Sequence, residues 1–248
     1  MNKACIIVTG ASRGIGAAIA EELAREGYAV GCLSRSGALP SREISEPEVR
    51  ARFITAECDV TNYESVKRAM AEVVRQSNAP LVGLVNNAGL HLDGPAESQS
   101  IPEFEKVMTA NATSVFMASQ IAFPYLQSNG GGTIVNIGSF FDKLGVKRNS
   151  AYCASKAAVG AISRCLAVEW AAQGIRVHNV APGYIATDLN KESLESGPLS
   201  RFLAKRIPTG APGTANDVAE LVKLLFSVTS GFLTGETLYL DGGQGMAH

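Results

Sequence analysis

The chain of 248 residues lacks any excess of charge and any long hydrophobic run. Its 22 Lys and Arg against 23 Asp and Glu leave a net charge of −1, so no general attraction to nucleic acid or to an anionic membrane surface is indicated. No stretch of 18 apolar residues occurs, which argues against a transmembrane helix. The apolar run near the N-terminus is too short for a secretory signal. We therefore expect a cytoplasmic protein that binds neither membrane nor nucleic acid.

Cysteine and histidine are also few and scattered. The five cysteines have no C-x-x-C spacing, so neither a disulfide framework nor a zinc site is supported, and we interpret them as reduced, packed thiols. The three histidines, His91, His178 and His248, have no ligand partner at a suitable spacing, so we expect no metal. His91 is the one histidine that we expect to border a pocket, because it follows a turn of small residues.

What the sequence does have is a regular alternation of short apolar runs with segments of helical periodicity. This alternation predicts an α/β fold with a single doubly wound parallel sheet, the Rossmann arrangement, and helices on both faces. The length fits one domain over residues 1–248. The predicted strands are residues 4–8, 28–33, 52–58, 81–86, 132–137, 176–181 and 236–240, and the predicted helices are residues 14–27, 63–76, 101–127, 151–173 and 215–228.

Two segments interrupt the alternation. Residues 36–47 are polar and contain two prolines, which indicates a loop. Residues 184–214 are irregular, are rich in proline and glycine, and follow a predicted strand. Ligands of doubly wound sheets bind beyond the carboxyl ends of the strands, so this second segment is a candidate substrate lid. A plain surface loop is the alternative.

A glycine-rich turn follows the first predicted strand and opens the first helix. Glycines there permit a tight turn and a close approach of the backbone to a pyrophosphate, and the helix N-terminus adds free N–H groups. The strand–turn–helix context is what such a motif requires. The turn therefore predicts a dinucleotide site made by Gly10, Ser12, Arg13, Gly14, Ile15 and Gly16.

The end of the second predicted strand discriminates between NAD and NADP. A carboxylate there would bind the adenosine ribose and repel a 2′-phosphate. This chain has Ser34 followed by Arg35, and Arg13 in the glycine-rich turn is a second cation within reach. Arginine forms paired hydrogen bonds with phosphate, so the charges favour NADP(H). The alternative is that Arg35 is a solvated surface residue and Ser34 tolerates either cofactor.

Two further strand ends offer candidate cofactor contacts. Asp59, after the third strand, could hydrogen-bond the adenine amino group while Val60 covers the ring; a helix cap at Asp59 is an equal alternative. Asn87, Ala88 and Gly89 end the fourth strand, where small residues would let the backbone approach a ribose. By themselves these three residues would indicate only a turn.

Tyr152 and Lys156 are four residues apart in a predicted helix and therefore share one face. An ammonium beside a phenol favours the phenolate, so we expect it to lower the pKa of Tyr152. A phenol tuned in this way can give a proton to a carbonyl oxygen or take one from an alcohol. Alone, such a pair is usually just an exposed helix face, and the neighbouring motifs are what favour catalysis.

With these motifs and Ser139, thirteen residues before Tyr152, the chain resembles the short-chain dehydrogenase/reductase family over essentially its whole length. The resemblance is strongest to the 3-oxoacyl-carrier-protein-reductase-like branch. It implies an NADP(H)-dependent oxidoreductase acting on a carbonyl or secondary alcohol. It also implies that Ser139 holds the substrate oxygen, that Tyr152 is the acid or base, and that Lys156 lowers the tyrosine pKa and binds the nicotinamide ribose.

The resemblance extends to residues outside that triad. Asn111 matches the asparagine that steadies a water near the lysine and completes a proton relay; a helix kink or cap is the alternative. The residues that the resemblance places against the nicotinamide are Pro182, Gly183, Ile185 and Thr187.

Departures from the family pattern bear on the substrate. His178 is extra to the family's Arg-Val-Asn stretch, although the catalytic set is untouched. The cations with which carrier-protein-linked relatives hold an acidic carrier are missing at residues 127–129 and 171–173, so we expect a free small or medium carbonyl or alcohol substrate. A 3-oxoacyl-(acyl-carrier-protein) reductase is the alternative. Phe140 and Phe141 are either an apolar substrate wall or core residues.

Two other functions fit the same fold. A non-catalytic regulator that senses NADP(H) would keep the glycine-rich turn but lose parts of the catalytic set, all of which is present here. An epimerase or dehydratase usually carries a longer segment after Gly183. By resemblance we expect a homotetramer, or a homodimer, assembled through helices near residues 113–127 and 151–173. A helix buried within one subunit would have the same pattern.

Overall fold

The computed structural model describes residues 3–187 and 197–246. Most of its strands are short and almost wholly apolar, as expected for strands covered on both faces. In chain order the described strands are β1 (Cys5–Thr9), β2 (Ala29–Ser34), β3 (Phe53–Glu57), β4 (Leu81–Asn86), β5 (Gly132–Ile137), β6 (Ile175–Pro182), β7 (Ile185–Ala186), β8 (Gly213–Thr214) and β9 (Thr237–Leu240).

The described α-helices connect these strands and cover the sheet. They are α1 (Gly14–Arg25), α2 (Pro47–Arg50), α3 (Tyr63–Ser77), α4 (Ile101–Met108), α5 (Ser114–Ser128), α6 (Ser150–Trp170), α7 (Gly197–Arg206) and α8 (Ala215–Ser227). No helix within residues 3–187 and 197–246 is both long and apolar enough to cross a membrane.

Seven strands form one parallel sheet in the order β3-β2-β1-β4-β5-β6-β9. The chain runs outward from β1 to β3, then returns to pair β4 with the other side of β1, so the order reverses between β1 and β4. This confirms the predicted doubly wound Rossmann sheet. The reversal opens a crevice at the carboxyl ends of β1 and β4, which is where such sheets bind their ligands. Strands β7 and β8 form a separate pair.

The core lies in two layers, one on each face of the sheet. On one face, Ile6 and Val8 pack in a cluster with the apolar side of α1 and α8. On the other face, Ile7 and Leu84 pack with the apolar sides of α3, α5 and α6. Consecutive residues of β1 thus enter opposite layers, as the twofold alternation of a strand requires. The two layers hold the strand ends, and with them the crevice, in place.

Two predicted elements differ in the structure. The single helix expected over residues 101–127 is interrupted by a π-helical turn at Thr109–Thr113 between α4 and α5. The segment 184–214, expected to be irregular, contains β7, β8 and the ten-residue helix α7. Residues 188–196 of the predicted lid lie outside the described residues. The lid itself stays a prediction.

Candidate active site

Ser139 stands just beyond the end of β5. A Cβ atom at the preceding Gly138 would lie 2.4 Å from the side-chain oxygen of Asn179, so glycine is what lets β5 and β6 approach this closely. Ser139 is buried, and its hydroxyl accepts a 3.2 Å hydrogen bond from the N–H of Phe141. The hydroxyl is therefore fixed at the carboxyl edge of the sheet.

Helix α6 brings Tyr152 and Lys156 to the same place. The Lys156 Nζ donates a 2.8 Å hydrogen bond to the carbonyl oxygen of Ile137, the last residue of β5. The same Nζ lies 5.6 Å from the centroid of the Tyr152 ring. The Ser139 hydroxyl lies near enough to the Tyr152 phenol to act on its pKa. Three of the predicted catalytic residues thus meet within one contact network.

The electrostatics of this cluster differ from the sequence prediction. Burial raises the pKa of Tyr152, and the Ser139 hydroxyl only partly opposes this. Burial also lowers the pKa of Lys156 to about 8. The pKa of Tyr152 is therefore raised and not lowered as expected from the neighbouring Lys156, because desolvation of the buried phenol is the largest effect on it. The phenol consequently holds its proton at neutral pH.

Asn111 lies at the centre of the π-helical turn and is buried. Its Oδ1 accepts a 2.7 Å hydrogen bond from the Leu90 N–H, and its Nδ2 donates to the Leu90 carbonyl at 2.8 Å and to the Ser155 hydroxyl at 3.0 Å. The side chain thus joins the loop after β4 to the helix that carries Lys156. Both of its amide protons are therefore engaged by other groups of the protein. The kink alternative and the catalytic role are compatible.

The glycine-rich turn leaves the backbone open at the N-terminus of α1. Gly10 and Gly14 have positive φ angles of 66° and 57°. A Cβ atom at Gly16 would lie 2.3 Å from the Gly10 carbonyl oxygen, so only glycine fits there. Arg13 occupies the N-cap position and makes no capping hydrogen bond with its side chain. The first N–H groups of α1 are then available to an anion such as a pyrophosphate.

The loop after β4 is fastened to this turn. The hydroxyl of Thr9 accepts hydrogen bonds from the N–H groups of Asn87 and Ala88 at 3.0 and 3.1 Å. The Asn87 side chain donates to the carbonyl oxygens of Thr9 and Gly10 at 2.9 and 3.2 Å. Asn87 and Ala88 therefore lie beside the glycine-rich turn, and Gly89 follows them towards Asn111; their contact with a ribose stays a prediction.

The end of β2 presents a cation and no carboxylate. Ser34 is buried and Arg35 is exposed. Asp59, at the neighbouring strand end, accepts hydrogen bonds from the N–H and hydroxyl of Thr61 at 2.9 and 2.7 Å. These bonds, and then the Arg35 charge, lower the pKa of Asp59. Arg35 and Asp59 are therefore close enough to interact.

Asp59 does not cap the next helix. The N-cap of α3 is Asn62, whose side chain accepts a 2.9 Å hydrogen bond from the Ser65 N–H. The capping alternative for Asp59 is wrong because the Thr61 hydroxyl and N–H already hold its carboxylate. Val60, half-buried, follows it at the same edge. The adenine contacts of both residues stay predictions.

The predicted nicotinamide contacts lie at the end of β6 and in β7. Pro182 ends β6, and a Cβ atom at Gly183 would lie 2.8 Å from the Asp241 Cα. Ile185 is buried in β7. The methyl carbon of Thr187 lies 3.6 Å from the position that a Cβ of Gly14 would occupy. The segment after β6 thus returns to the glycine-rich turn and covers one side of the crevice.

Aromatic rings lie around Tyr152 in the first turn of α6. The Phe141 ring centroid lies 6.0 Å from that of Tyr152 and 6.1 Å from that of Tyr184. Phe140 is only 3% exposed and packs on Tyr184 at 5.7 Å. Of the two alternatives for this pair, Phe140 is a core residue, whereas half-buried Phe141 is available as a substrate wall.

Sequence reasoning missed the ion pairs that hold the loop after β2. Buried Glu21 binds Arg25 and Arg42, and Arg42 also donates a 2.9 Å hydrogen bond to the Asn216 side chain. The Ser41 N–H donates a 2.8 Å hydrogen bond to the Ser12 carbonyl oxygen in the glycine-rich turn. A carboxylate within the apolar pattern of α1 was the signal that could have predicted this anchor.

A buried polar network behind the site was also missed. The Asn86 side chain donates to the Ser119 hydroxyl at 3.0 Å and to the Asn136 oxygen at 2.8 Å, and Asn136 donates to the Ser163 hydroxyl at 2.9 Å. The signal was an asparagine in each of two otherwise apolar strands. Within the described ranges no cluster of His, Cys, Asp and Glu could hold a metal ion.

Comparison with known proteins places this geometry in a family. The family model described as enoyl-(acyl carrier protein) reductase matches residues 10–244. The 3-oxoacyl-[acyl-carrier-protein] reductase MabA of Mycobacterium tuberculosis is 35% identical over 246 residues, covering 98% of this chain and 93% of the relative. The glucose 1-dehydrogenase of Gluconobacter oxydans is 35% identical over 241 residues, covering 96% of this chain and 90% of the relative.

Solved structures agree with the sequence comparisons. A gluconate 5-dehydrogenase from Burkholderia cenocepacia, in complex with NADP and tartrate, superposes with a TM-score of 0.87 at 28% identity, covering 100% of this chain and 97% of the other. The similarity therefore extends over the whole chain. On these grounds the chain belongs to the short-chain dehydrogenase/reductase family.

Proposed function

We propose that the chain is an NADP(H)-dependent oxidoreductase that moves a hydride between the nicotinamide and a carbonyl or secondary alcohol of a small or medium substrate. The observation that carries this proposal is the contact network of Ser139, Tyr152 and Lys156 at the carboxyl edge of β5. The glycine-rich turn lies at the same edge of the sheet, at the end of β1. When bound, the cofactor supplies the hydride for reduction and accepts it for oxidation.

The protein's own contribution to reduction is to hold the substrate oxygen and give it a proton. The hydroxyls of Ser139 and Tyr152 would both donate to the carbonyl oxygen, where negative charge develops as the carbon gains a hydride. The Tyr152 O–H bond breaks and its proton completes the alcohol. Because burial keeps Tyr152 protonated, the donor is ready at neutral pH. Lys156 then stabilises the phenolate until a proton returns through solvent.

Lys156 has the properties that this role requires. It is 5% exposed, and its ammonium is bound to the Ile137 carbonyl near the Tyr152 ring. A buried ammonium is costly without a partner, so formation of the phenolate would favour the charged lysine and lower the effective pKa of Tyr152. Asn111 would keep the π turn in register with α6 through its bond to Ser155, and thereby support the proton path.

The preference for NADP(H) is proposed from the charges at the adenosine end of the crevice. Arg35 follows β2 directly, Arg13 lies in the glycine-rich turn, and no acidic residue stands at the end of β2. Both arginines are exposed and can turn towards a 2′-phosphate. The gluconate 5-dehydrogenase structure holding NADP supports the same choice.

The substrate is proposed to be a free carbonyl compound or alcohol with an apolar part. Phe141 and Tyr184 offer apolar surface near Tyr152. A second candidate is a 3-oxoacyl group on a carrier protein, which the similarity to MabA favours. The missing cations at residues 127–129 and 171–173 weaken this candidate, because an acidic carrier would find little attraction there.

The test is a substrate panel of ketones, quinones and 3-oxoacyl thioesters, with turnover measured as the loss of NADPH fluorescence. The proposal expects turnover of at least one free carbonyl compound, with NADPH preferred over NADH. If the 3-oxoacyl thioester of an acyl-carrier protein is turned over faster than that of a small thiol, the second candidate is favoured. Tight NADPH binding without any turnover over the whole panel would instead indicate the non-catalytic NADP(H)-sensing regulator.

We also propose a cytoplasmic homotetramer, or homodimer, in which the segment 184–214 closes over the substrate. Support for assembly comes from apolar side chains exposed on the helices expected at the interface: Phe116 on α5 is 45% exposed and Val168 on α6 is 82% exposed. Burying these side chains between subunits would remove apolar surface from water and stabilise the assembly. Sedimentation of the protein and of a Val168→Glu variant tests this, since the variant should dissociate; a monomeric unsubstituted protein would contradict the assembly.

A further inference from the structure

Two loops meet beside Tyr152 and are fastened together there. Asp93, in the loop after β4, pairs with Arg148, in the loop before α6, at 2.9 Å. The Gly94 N–H donates a 2.9 Å hydrogen bond to the Arg148 carbonyl oxygen. Arg148 has a φ angle of 67°, a conformation that costs free energy in a residue with a side chain and persists only where its surroundings hold it. The contacts at this junction thus hold Arg148 in an unfavourable backbone conformation.

His91 lies within the junction and contacts the catalytic tyrosine. Its ring centroid is 4.8 Å from that of Tyr152, with the rings 70° apart, which is the edge-to-face arrangement that aromatic pairs prefer. His91 Nε2 and the Asn149 Oδ1 form a hydrogen bond of 2.5 Å. His91 is exposed, so a substrate can reach it.

The hydrogen bonds assign the tautomer of His91. The Asn149 Nδ2 donates a 2.8 Å hydrogen bond to the Lys147 carbonyl oxygen, which fixes the amide with Oδ1 towards His91. An amide oxygen can only accept, so Nε2 carries the proton. In the neutral imidazole Nδ1 is then an acceptor, and no described residue donates a hydrogen bond to it.

We propose that His91 is a specificity-determining residue that accepts a hydrogen bond from a hydroxyl group next to the reacting carbonyl, so that the preferred substrates are hydroxyketones. The inference rests on the proposed reduction at Tyr152 and deepens it. Tyr152 has two different neighbours: the apolar Phe141 ring and the hydrogen-bonding His91 ring. A ketone held at Tyr152 with its apolar substituent towards Phe141 has its other substituent free for His91. A hydroxyl there matches an acceptor, whereas a plain methyl group leaves it unpaired.

The test compares reduction of 2-hydroxyacetophenone with that of acetophenone by the same enzyme. The measured quantity is the ratio of their kcat/KM values, in the unsubstituted protein and in His91→Phe, His91→Gln and Asn149→Ala. His91→Phe keeps an aromatic edge against Tyr152 but removes the acceptor, so the preference for the hydroxyketone should fall roughly 3- to 10-fold, the worth of one neutral hydrogen bond. His91→Gln offers both a donor and an acceptor and should retain part of the preference. Asn149→Ala frees the tautomer and should lower the ratio by less than His91→Phe does.

Each outcome of this test either supports or overturns the proposed role of His91. A ratio that is the same in the unsubstituted protein, His91→Phe and Asn149→Ala overturns the role of His91 while leaving the oxidoreductase proposal intact, because both ketones are still reduced. A structural role alone would lower both kcat/KM values together without moving their ratio. If His91→Phe does not fold, the ratio of Asn149→Ala against the unsubstituted protein decides by itself. Failure of the unsubstituted protein to reduce any carbonyl compound would overturn both proposals.

Discussion

His178 is a buried, titratable group that the proposed reaction does not use. It lies in β6 opposite Val135 of β5 and has no exposed surface. Neither ring nitrogen has a hydrogen-bond partner among the described residues. Burial, and then the Arg176 charge, lower its pKa from 6.5 to about 4. His178 should therefore make the stability of the protein depend on pH.

The sign and size of this effect follow from proton linkage. The unfolded chain takes up the proton near pH 6.5 and the folded protein only near pH 4, so stability is complete above the first value and falls towards the second. Each pKa unit corresponds to about 1.4 kcal/mol. Between about pH 7.5 and about pH 5 the loss assigned to His178 is then roughly 2 kcal/mol, rising to about 3 kcal/mol below pH 4.

The assay is urea unfolding of the unsubstituted protein and of His178→Leu at both pH values. Leucine removes two unpaired polar atoms from the core, so stability at neutral pH should stay the same or rise. The free energy of unfolding should fall by about 2 kcal/mol less in the variant as the pH is lowered. All other titrating groups are common to the two proteins, so the difference between the curves isolates His178. Parallel curves would refute the reasoning.

Two further predictions concern the cofactor site. Arg35→Asp should reverse the preference of NADPH over NADH in binding titrations, with NADPH weakened by roughly 10- to 100-fold through loss of a charge-assisted hydrogen bond to phosphate; retained NADPH preference would show that Arg35 does not contact it. Gly16→Ala should lower the free energy of unfolding, measured by urea denaturation, by about 1–3 kcal/mol. It should also bind NADPH poorly, because its methyl group would clash with the Gly10 carbonyl oxygen at 2.3 Å. Gly231→Ala, which meets no atom within 4 Å, is the matched control and should change stability by less than about 0.5 kcal/mol; equal losses in both variants would contradict the clash.

The sheet was predictable because its strands are buried on both faces. An uninterrupted apolar run such as that of β1 or β5 has few other uses in a chain of alternating helices, and the handedness of crossovers leaves few strand orders. The π turn at Thr109–Thr113 was not predictable from periodicity, because it depends on a partner far along the chain: the Leu90 backbone that Asn111 binds.

The sequence predicted which residues meet in the site, but it did not predict the direction in which the pKa of Tyr152 is shifted. The spacing of Tyr152 and Lys156 correctly places them together, yet the direction of the Tyr152 pKa depends mainly on burial of the phenol. That burial is not encoded in the local sequence. The tautomer of His91 likewise depends on Asn149, which is distant in sequence and close only in the fold.

The central claim is that the Tyr152 hydroxyl supplies the proton at a carbonyl held next to bound NADPH. The most direct measurement is single-turnover reduction of a substrate ketone by NADPH bound to Tyr152→Phe, set against the unsubstituted protein. The phenylalanine keeps the ring contacts with His91 and Phe141 but has no proton to give. The account predicts a rate lower by roughly 10²- to 10⁴-fold with NADPH affinity nearly unchanged. A rate equal to that of the unsubstituted protein would contradict it.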